Sequence, residues 1–301
     1  MTYSLGNIST TQFYDRANRA MSGLSAKADQ LQTSISTGKK LVAPSSDSAA
    51  YQRLRTMAKD ASDDVAYSGN LKLAASALKQ ADTTLDAIGT QLQRATELAI
   101  QARNGTQNDQ SRAAIAAEID TIIDGLAGLA NTRDARGQYV FGGIDGGAGA
   151  VPANGGYALA TTSGAPIPIG DGQSVQTGVA ADRVFKLGDT DVFQVLADLS
   201  AALKEPGLDD AAIGAALDDL SAAGTQASTV QASLGARAAR VELEQSRLAD
   251  VATDREDARS AIEDTDISTA VIELQKTMTI LQATQASFSK LQGLSLFDYL
   301  R

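Results

Sequence analysis

Leu71-Lys72-Leu73-Ala74-Ala75-Ser76-Ala77-Leu78-Lys79-Gln80-Ala81-Asp82-Thr83-Thr84-Leu85-Asp86-Ala87-Ile88-Gly89-Thr90-Gln91-Leu92-Gln93-Arg94-Ala95-Thr96-Glu97-Leu98-Ala99 is the stretch that decides the fold. Within it Leu71, Ala74, Leu78, Ala81, Leu85, Ile88, Leu92, Ala95 and Ala99 recur at steps of three and four. That spacing keeps one narrow face of an α-helix apolar over four heptads, and such a face must bury against another helix.

The same rhythm extends outward in both directions. Phe13, Ala17, Ala20, Leu24, Ala28, Leu31 and Ile35 form one stripe, and Ile115, Ile119, Ile122, Leu126 and Leu129 another. A short helix carries Val192, Leu196, Leu199 and Leu203. A long one between about 210 and 262 carries Ile213, Leu217, Leu220, Leu234, Val241, Leu248, Val251 and Ile262. The last helix steps through Ile267, Val271, Leu274, Met278, Leu281, Gln285 and Phe288 before Leu294, Leu296 and Phe297.

Breakers punctuate these helices where they should. Pro44 separates the first helix from the second, and Ser45 or Ser46 is placed to cap the restart. Asn104-Gly105 follows the second stripe, Asn131 closes the third, and Glu205-Pro206-Gly207 ends the short helix. Asp264, Thr265 or Asp266 can cap the last.

Between Gly142 and Thr190 the character changes. This stretch holds 12 of the 26 glycines and three of the five prolines, with no Lys or Arg before Arg183. Short runs such as Tyr157–Thr161 and Arg183–Leu187 read as strands between turn residues. The expected architecture is mainly α: a long antiparallel helical rod with paired N- and C-terminal coiled-coil helices and a small β-rich inserted domain. Residues 1–43 with 264–301 form the base, 44–141 with 190–263 the helical rod, and 142–189 the insertion.

Composition narrows the function. Hydrophobic residues make up 43% but aromatics only 4%, with no Trp, so the apolar share is mostly small side chains that let helices approach closely. Neither Cys nor His occurs. Thiolate and His-based nucleophilic catalysis are therefore excluded, as are disulfides and the usual zinc sites. Ser36-Thr37-Gly38-Lys39 matches S-x-x-K, but the S-D-N and K-T-G partners of that chemistry are missing. Gly38-Lys39-Lys40 lacks the earlier glycine and strand of a phosphate loop. Asp264-Thr265-Asp266 opens like a calcium loop but places Thr269 where Gly is required and Gln275 where Glu is required. No catalytic residue, cofactor site or metal site is expected.

Net charge is −10, yet residues 1–43 hold five basic and two acidic side chains, and residues 268–301 three and two. The negative charge is concentrated in the middle, which argues against nucleic-acid binding. No run approaches a membrane span, and Met1–Tyr14 carries neither the basic residue nor the apolar run of a signal peptide. A soluble, unprocessed chain is expected, leaving the cell, if it leaves, by a route that cleaves nothing. The terminal stripes also bury too little to stand alone. Phe13, Leu24, Leu31, Ile35, Ile267, Val271, Leu274, Met278, Leu281, Phe288, Leu294 and Phe297 are the candidate assembly seam, to be covered by other copies.

With these residues in view, the chain resembles the flagellin family at both ends. Leu31-Gln32-Thr33-Ser34-Ile35-Ser36-Thr37-Gly38-Lys39-Lys40 leads into Ala43-Pro44-Ser45-Ser46-Asp47-Ser48-Ala49-Ala50, whose Pro-Ser-x-Asp form is similar to the hook-associated members of the family. Ser46 and Ser48 depart from the Asp and Pro commoner there. Asn131–Gly137 running into Gln138-Tyr139-Val140-Phe141-Gly142-Gly143, and the ending Ala283–Leu300, point the same way. The resemblance is absent from the insertion. It implies a non-enzymatic axial protein of the extracellular flagellum, exported unfolded through the flagellar type III apparatus with an export chaperone. It further implies a helical ring of copies at the hook–filament junction, between an adjacent hook-associated protein and flagellin. A filament subunit, or a secreted coiled-coil scaffold outside the flagellum, remains open on the residues alone.

Overall fold

The computed structural model describes residues 10–41, 43–45, 47–153, 156–207 and 209–299, with side chains described except at 10, 11, 13 and 291–299. Helices dominate: α1 (Thr10–Thr37), α2 (Ser48–Arg103), α3 (Asp109–Ala130), α4 (Asp182–Phe185), α5 (Val192–Lys204), α6 (Asp210–Glu263) and α7 (Ile267–Tyr299). Six short strands lie between α3 and α5: β1 (Ala150–Ala153), β2 (Gly156–Leu159), β3 (Ile167–Gly170), β4 (Gln173–Val175), β5 (Lys186–Leu187) and β6 (Thr190–Asp191). The chain divides into two compact units, Met1–Ala61 with Ala252–Arg301, and Ser62–Val251.

The second unit contains the main core. Every member of the deciding stripe, from Leu71 to Ala99, is buried. Ile115, Ile119, Ile122 and Leu126 of α3 join it, with Val192, Leu196, Leu199 and Leu203 of α5 and Ile213, Leu220, Leu234, Val241 and Leu248 of α6. Each turn of these helices contributes one or two small or medium side chains, so the buried area accumulates along the length. Helix ends are specified locally. Asn108 accepts from the Ser111 amide at 2.8 Å, and Asp191 accepts from Gln194 at 3.0 Å. Asn131 closes α3, its amide bonding back to the Ala127 carbonyl.

The insertion is a folded element rather than a bare loop. Its strands pair as three antiparallel hairpins, β1–β2, β3–β4 and β5–β6. Hairpins this short do not persist alone. Here an aromatic cluster anchors them: Phe185 lies 5.1 Å from Phe193 and 6.4 Å from Phe141, and Tyr157 lies 4.5 Å from Phe193. Helix side chains also grip its main chain. Asn70 donates to the Pro168 carbonyl at 2.8 Å, and Arg237 to the carbonyls of Gln176 and Gly178. Gln226 donates to Arg183 and Lys186, and Asn131 brackets Ala150, donating to its carbonyl and accepting from its amide. Gly149 is required beside that bracket, because a Cβ there would collide with the Ala130 carbonyl.

Two local expectations are corrected. Arg183–Leu187 is not one strand: it begins as the single turn α4 and becomes β5 only at Lys186. The amides of Val184 and Phe185 both donate to the Ala181 carbonyl, at 3.0 and 2.9 Å, which closes a helical turn, and both side chains are buried. The cap of α2 is Asp47 rather than Ser45, its carboxylate accepting from the amides of Ala49 and Ala50. Ser46 lies outside the described residues. Where the first helix ends, Gly38 adopts φ 71°, so glycine stops α1 before Pro44 is reached.

The Asn131 bracket has a measurable weight. Asn131→Ala would leave both main-chain groups of buried Ala150 unpaired, and we expect a loss of about 1–3 kcal/mol with little change in helix content. Chemical denaturation followed by circular dichroism reads both quantities.

Candidate assembly surface

The first unit is organised by α1 packing antiparallel on α7. On α1, Tyr14, Ala17, Met21, Leu24, Leu31 and Ile35 are half-buried and Ala28 and Ser34 are buried. On α7 the inward series is Ala270, Leu274, Thr277, Leu281, Thr284 and Phe288, with Ala270 and Thr277 buried. At one end of the pair, Tyr14 meets Phe288 edge-to-face at 5.4 Å, a favoured aromatic geometry.

Of the seam residues expected from spacing, Leu24, Leu31, Ile35, Leu274, Leu281 and Phe288 come together between the two helices. Ile267, Val271 and Met278 stay more exposed, at 52%, 36% and 42%. Ile267 continues the phase of Leu274 and Leu281 but lies in the first turn of α7; for Val271 and Met278 the physical reason is size. A ladder of threes and fours can be drawn through the largest side chains or through their small neighbours. The pair uses Ala270, Thr277 and Thr284 because small residues allow closer approach. Phe13 lies on α1 and Leu294 and Phe297 on α7, but their side chains fall outside the described residues. Spacing alone missed the small series; the signal that finds it is the heptad recurrence of Ala270, Thr277 and Thr284 beside Leu274, Leu281 and Phe288.

The outer surfaces of the two helices differ. Around α1 the exposed positions are dominated by polar residues, such as Arg16, Asn18, Arg19, Lys27, Asp29, Gln30 and Gln32. Val271 and Met278 instead form an exposed apolar row along α7 beside the seam, Ile267 is exposed in the first turn in line with Leu274, and Ile272 and Ile280 are exposed elsewhere on the helix.

Where the helices begin and end, charges are tied together. Lys39 Nζ donates to Glu263 at 2.5 Å, Arg259 pairs with both Glu263 and Glu256, and Asp266 caps α7 through the Thr269 hydroxyl and the amides of Ser268 and Thr269. The Lys39 hydrogen bond, reinforced by Arg259, holds Glu263 below the usual carboxylate range against the opposing effect of burial. Arg259 lowers Glu256, and the Thr269 hydroxyl lowers Asp266. Lys27–Glu273, at 3.7 Å with both side chains half exposed, contributes little. Among the described residues no group of three or more acidic side chains is placed to hold a metal ion, and no helix is long and apolar enough to cross a membrane.

Together these features define a class of protein: a helical subunit whose terminal helices pair through a thin seam and carry an uncovered apolar stripe. The comparisons give that class a family. The model of the bacterial flagellin N-terminal helical region matches residues 8–145, and that of the C-terminal helical region matches residues 217–300. The chain belongs to the bacterial flagellin family. Along nearly its whole length it is similar to flagellar hook-associated protein 3 of Escherichia coli K12, at 27% identity over 96% of this chain and 98% of that protein. The same protein of Salmonella typhimurium is 26% identical over 98% and 99%. In structure it is similar to the flagellar junction protein FlgL of Legionella pneumophila, with a TM-score of 0.57 at 15% identity, covering 72% of this chain and 100% of that one.

The carboxylates make a pH prediction. A carboxylate whose folded pKa is depressed adds stability that is complete above its unfolded value, about 4.3, and is lost as pH falls through the folded value. The α1–α7 pairing should therefore weaken below about pH 4. Glu263→Gln should flatten that dependence without abolishing it, since Glu256 and Asp266 remain. Thermal melts at a series of acidic pH values test this; an unchanged pH profile in the variant would refute it.

Proposed function

We propose that this chain is a structural axial protein of the flagellum that joins the hook region to the flagellin filament. One observation carries the reading: both terminal helical regions match the flagellin family, and the whole chain aligns with hook-associated protein 3. The uncovered apolar stripe of α7 supports it physically, since an exposed apolar row on a helix marks an interaction surface. In this reading the protein sits at the hook–filament junction and acts through assembly rather than catalysis. Residues 1–43 with 264–301 are the assembly base, 44–141 with 190–263 the helical body, and 142–189 the insertion. Copies of itself form a helical ring, with an adjacent hook-associated protein on one side and flagellin on the other. Delivery is by the flagellar type III export apparatus with a chaperone. Phe13, Leu294 and Phe297 belong to the same assembly surface.

A strain lacking the gene should build hooks, shed flagellin into the medium and regain filaments when the wild-type chain is supplied. Normal filaments in the deletion strain would overturn the assignment. The alternative reading, a filament subunit, is separated by seeded polymerisation, in which a filament subunit extends seeds into long filaments and a junction protein does not.

The surface itself is tested by two kinds of substitution. Leu31→Asp or Leu281→Asp places a charge in the α1–α7 seam and should block incorporation while the core of the second unit melts normally. Val271→Asp with Met278→Asp changes residues already exposed in the single chain. That double variant should keep the wild-type melt yet fail to restore filaments. Normal incorporation of the double variant would remove the stripe from the interface.

A further inference from the structure

The turn that joins α2 to α3 in the second unit begins Asn104-Gly105-Thr106, and all three residues are exposed. The Asn104 side-chain carbonyl accepts from the Thr106 amide at 3.2 Å and from the Thr106 hydroxyl at 3.1 Å. Both bonds draw electron density away from the side-chain amide carbon. They also close a ring of atoms that includes the Gly105 peptide nitrogen, which keeps that nitrogen beside the carbon. The Gly105 amide itself donates to no other group among the described residues. A Cβ built on Gly105 would meet nothing within 4 Å, so nothing screens the nitrogen from solvent.

The other asparagines of this unit are placed differently. Asn70 lies inside α2, where the next peptide nitrogen belongs to the helical ladder. Asn108 caps α3 and is followed by Asp109, and Asn131 is committed to both main-chain groups of buried Ala150. Among the described asparagines Asn104 alone precedes glycine; a second Asn-Gly pair, Asn154-Gly155, lies outside the described residues.

We propose that Asn104-Gly105 is a self-modification site, activated by Thr106, at which the folded chain converts to aspartate and isoaspartate. Solvent base removes the Gly105 amide proton, and the nitrogen attacks the side-chain amide carbon of Asn104. A C–N bond forms and closes a cyclic imide, while the side-chain nitrogen leaves as ammonia with a proton from solvent. Water then opens the imide at either carbonyl and breaks one of its C–N bonds. One opening leaves aspartate, and the other leaves isoaspartate, with the main chain rerouted through the side chain. The consequences fall on the α2–α3 turn. A new carboxylate follows Arg103 at the C-terminal end of α2, where the helix dipole disfavours negative charge. Arg103 already holds Asp210 of α6 at 2.5 and 3.0 Å, so the product competes for the cation that links the two helices. Isoaspartate also lengthens a turn that the Gln107 amide closes on the Asn104 carbonyl at 3.0 Å. Each chain is altered once and irreversibly, so an old copy carries a mark that a new one lacks. The inference is independent of the flagellar assignment.

The test incubates the folded, full-length chain at neutral and mildly alkaline pH and then digests it with trypsin under mildly acidic conditions, which preserve asparagine. Peptides ending at Arg112 contain both Asn104 and Asn108, and fragmentation by mass spectrometry assigns the amide-to-acid conversion between them. Asn104 should convert, faster as pH rises, while Asn108 stays intact. Gly105→Ala places a methyl group in open space and should slow conversion severalfold by shielding the nitrogen. Thr106→Val removes the polarising hydroxyl from an exposed position and should also slow it severalfold, with circular dichroism showing that both variants keep the wild-type fold. No conversion at Asn104 in the folded chain, equal conversion at Asn108, or a rate unchanged in either variant would each overturn the proposal.

Discussion

A helix face built from alanine and leucine in alternation gains little free energy per turn, because each turn removes only a small apolar area from water. That constraint governs the molecule. It requires length, and α2 and α6 run for 56 and 54 residues. It also separates the two units by how completely their faces are covered. In the second unit, α2, α3, α5 and α6 contribute to one core, and the aromatic cluster of Phe141, Phe185, Phe193 and Tyr157 adds what the alanines do not. In the first unit α1 and α7 pair with each other, and their contact is sealed by Ala28, Ser34, Ala270 and Thr277. A subunit of the flagellin family that must join a larger assembly is thus stable in one part and available in the other.

The helical part of the fold was legible because its determinants are local. The stripe from Leu71 to Ala99 is buried at every position, and the breaks at Asn131 and Pro206-Gly207 fall at helix ends. The errors arose where tertiary contacts decide. Arg183–Leu187 carries strand-like residues, yet the amides of Val184 and Phe185 bond back to the Ala181 carbonyl and the backbone turns helically as both side chains enter the core. The order of the insertion depends on side chains from α2, the C-cap of α3 and α6, from 19 to 98 residues distant in sequence. Composition within the insertion contains no trace of them.

The assembly surface was only half legible for a related reason. Spacing identifies which helices carry a stripe but not which of two adjacent stripes meets the partner helix. Val271 and Met278 look like core because they are large, while Ala270, Thr277 and Thr284 look incidental because they are small. Helix-to-helix distance reverses that ranking. The antiparallel bridge of Lys39 with Asp264 was less legible still: the two are separated by most of the chain, and each motif on its own suggested only a helix end.

The fastening of the insertion has an evolutionary consequence. Asn70, Asn131, Gln226 and Arg237 hold it through carbonyl and amide groups that any amino acid supplies. Buried side chains complete the attachment, the aromatic anchors with Ile167, Ile169, Val175 and Val179, along with the close approach at Gly149. The outward residues of this segment are therefore free to drift, and a lineage pressed to alter what its surroundings encounter could rewrite them while leaving the supporting helices untouched.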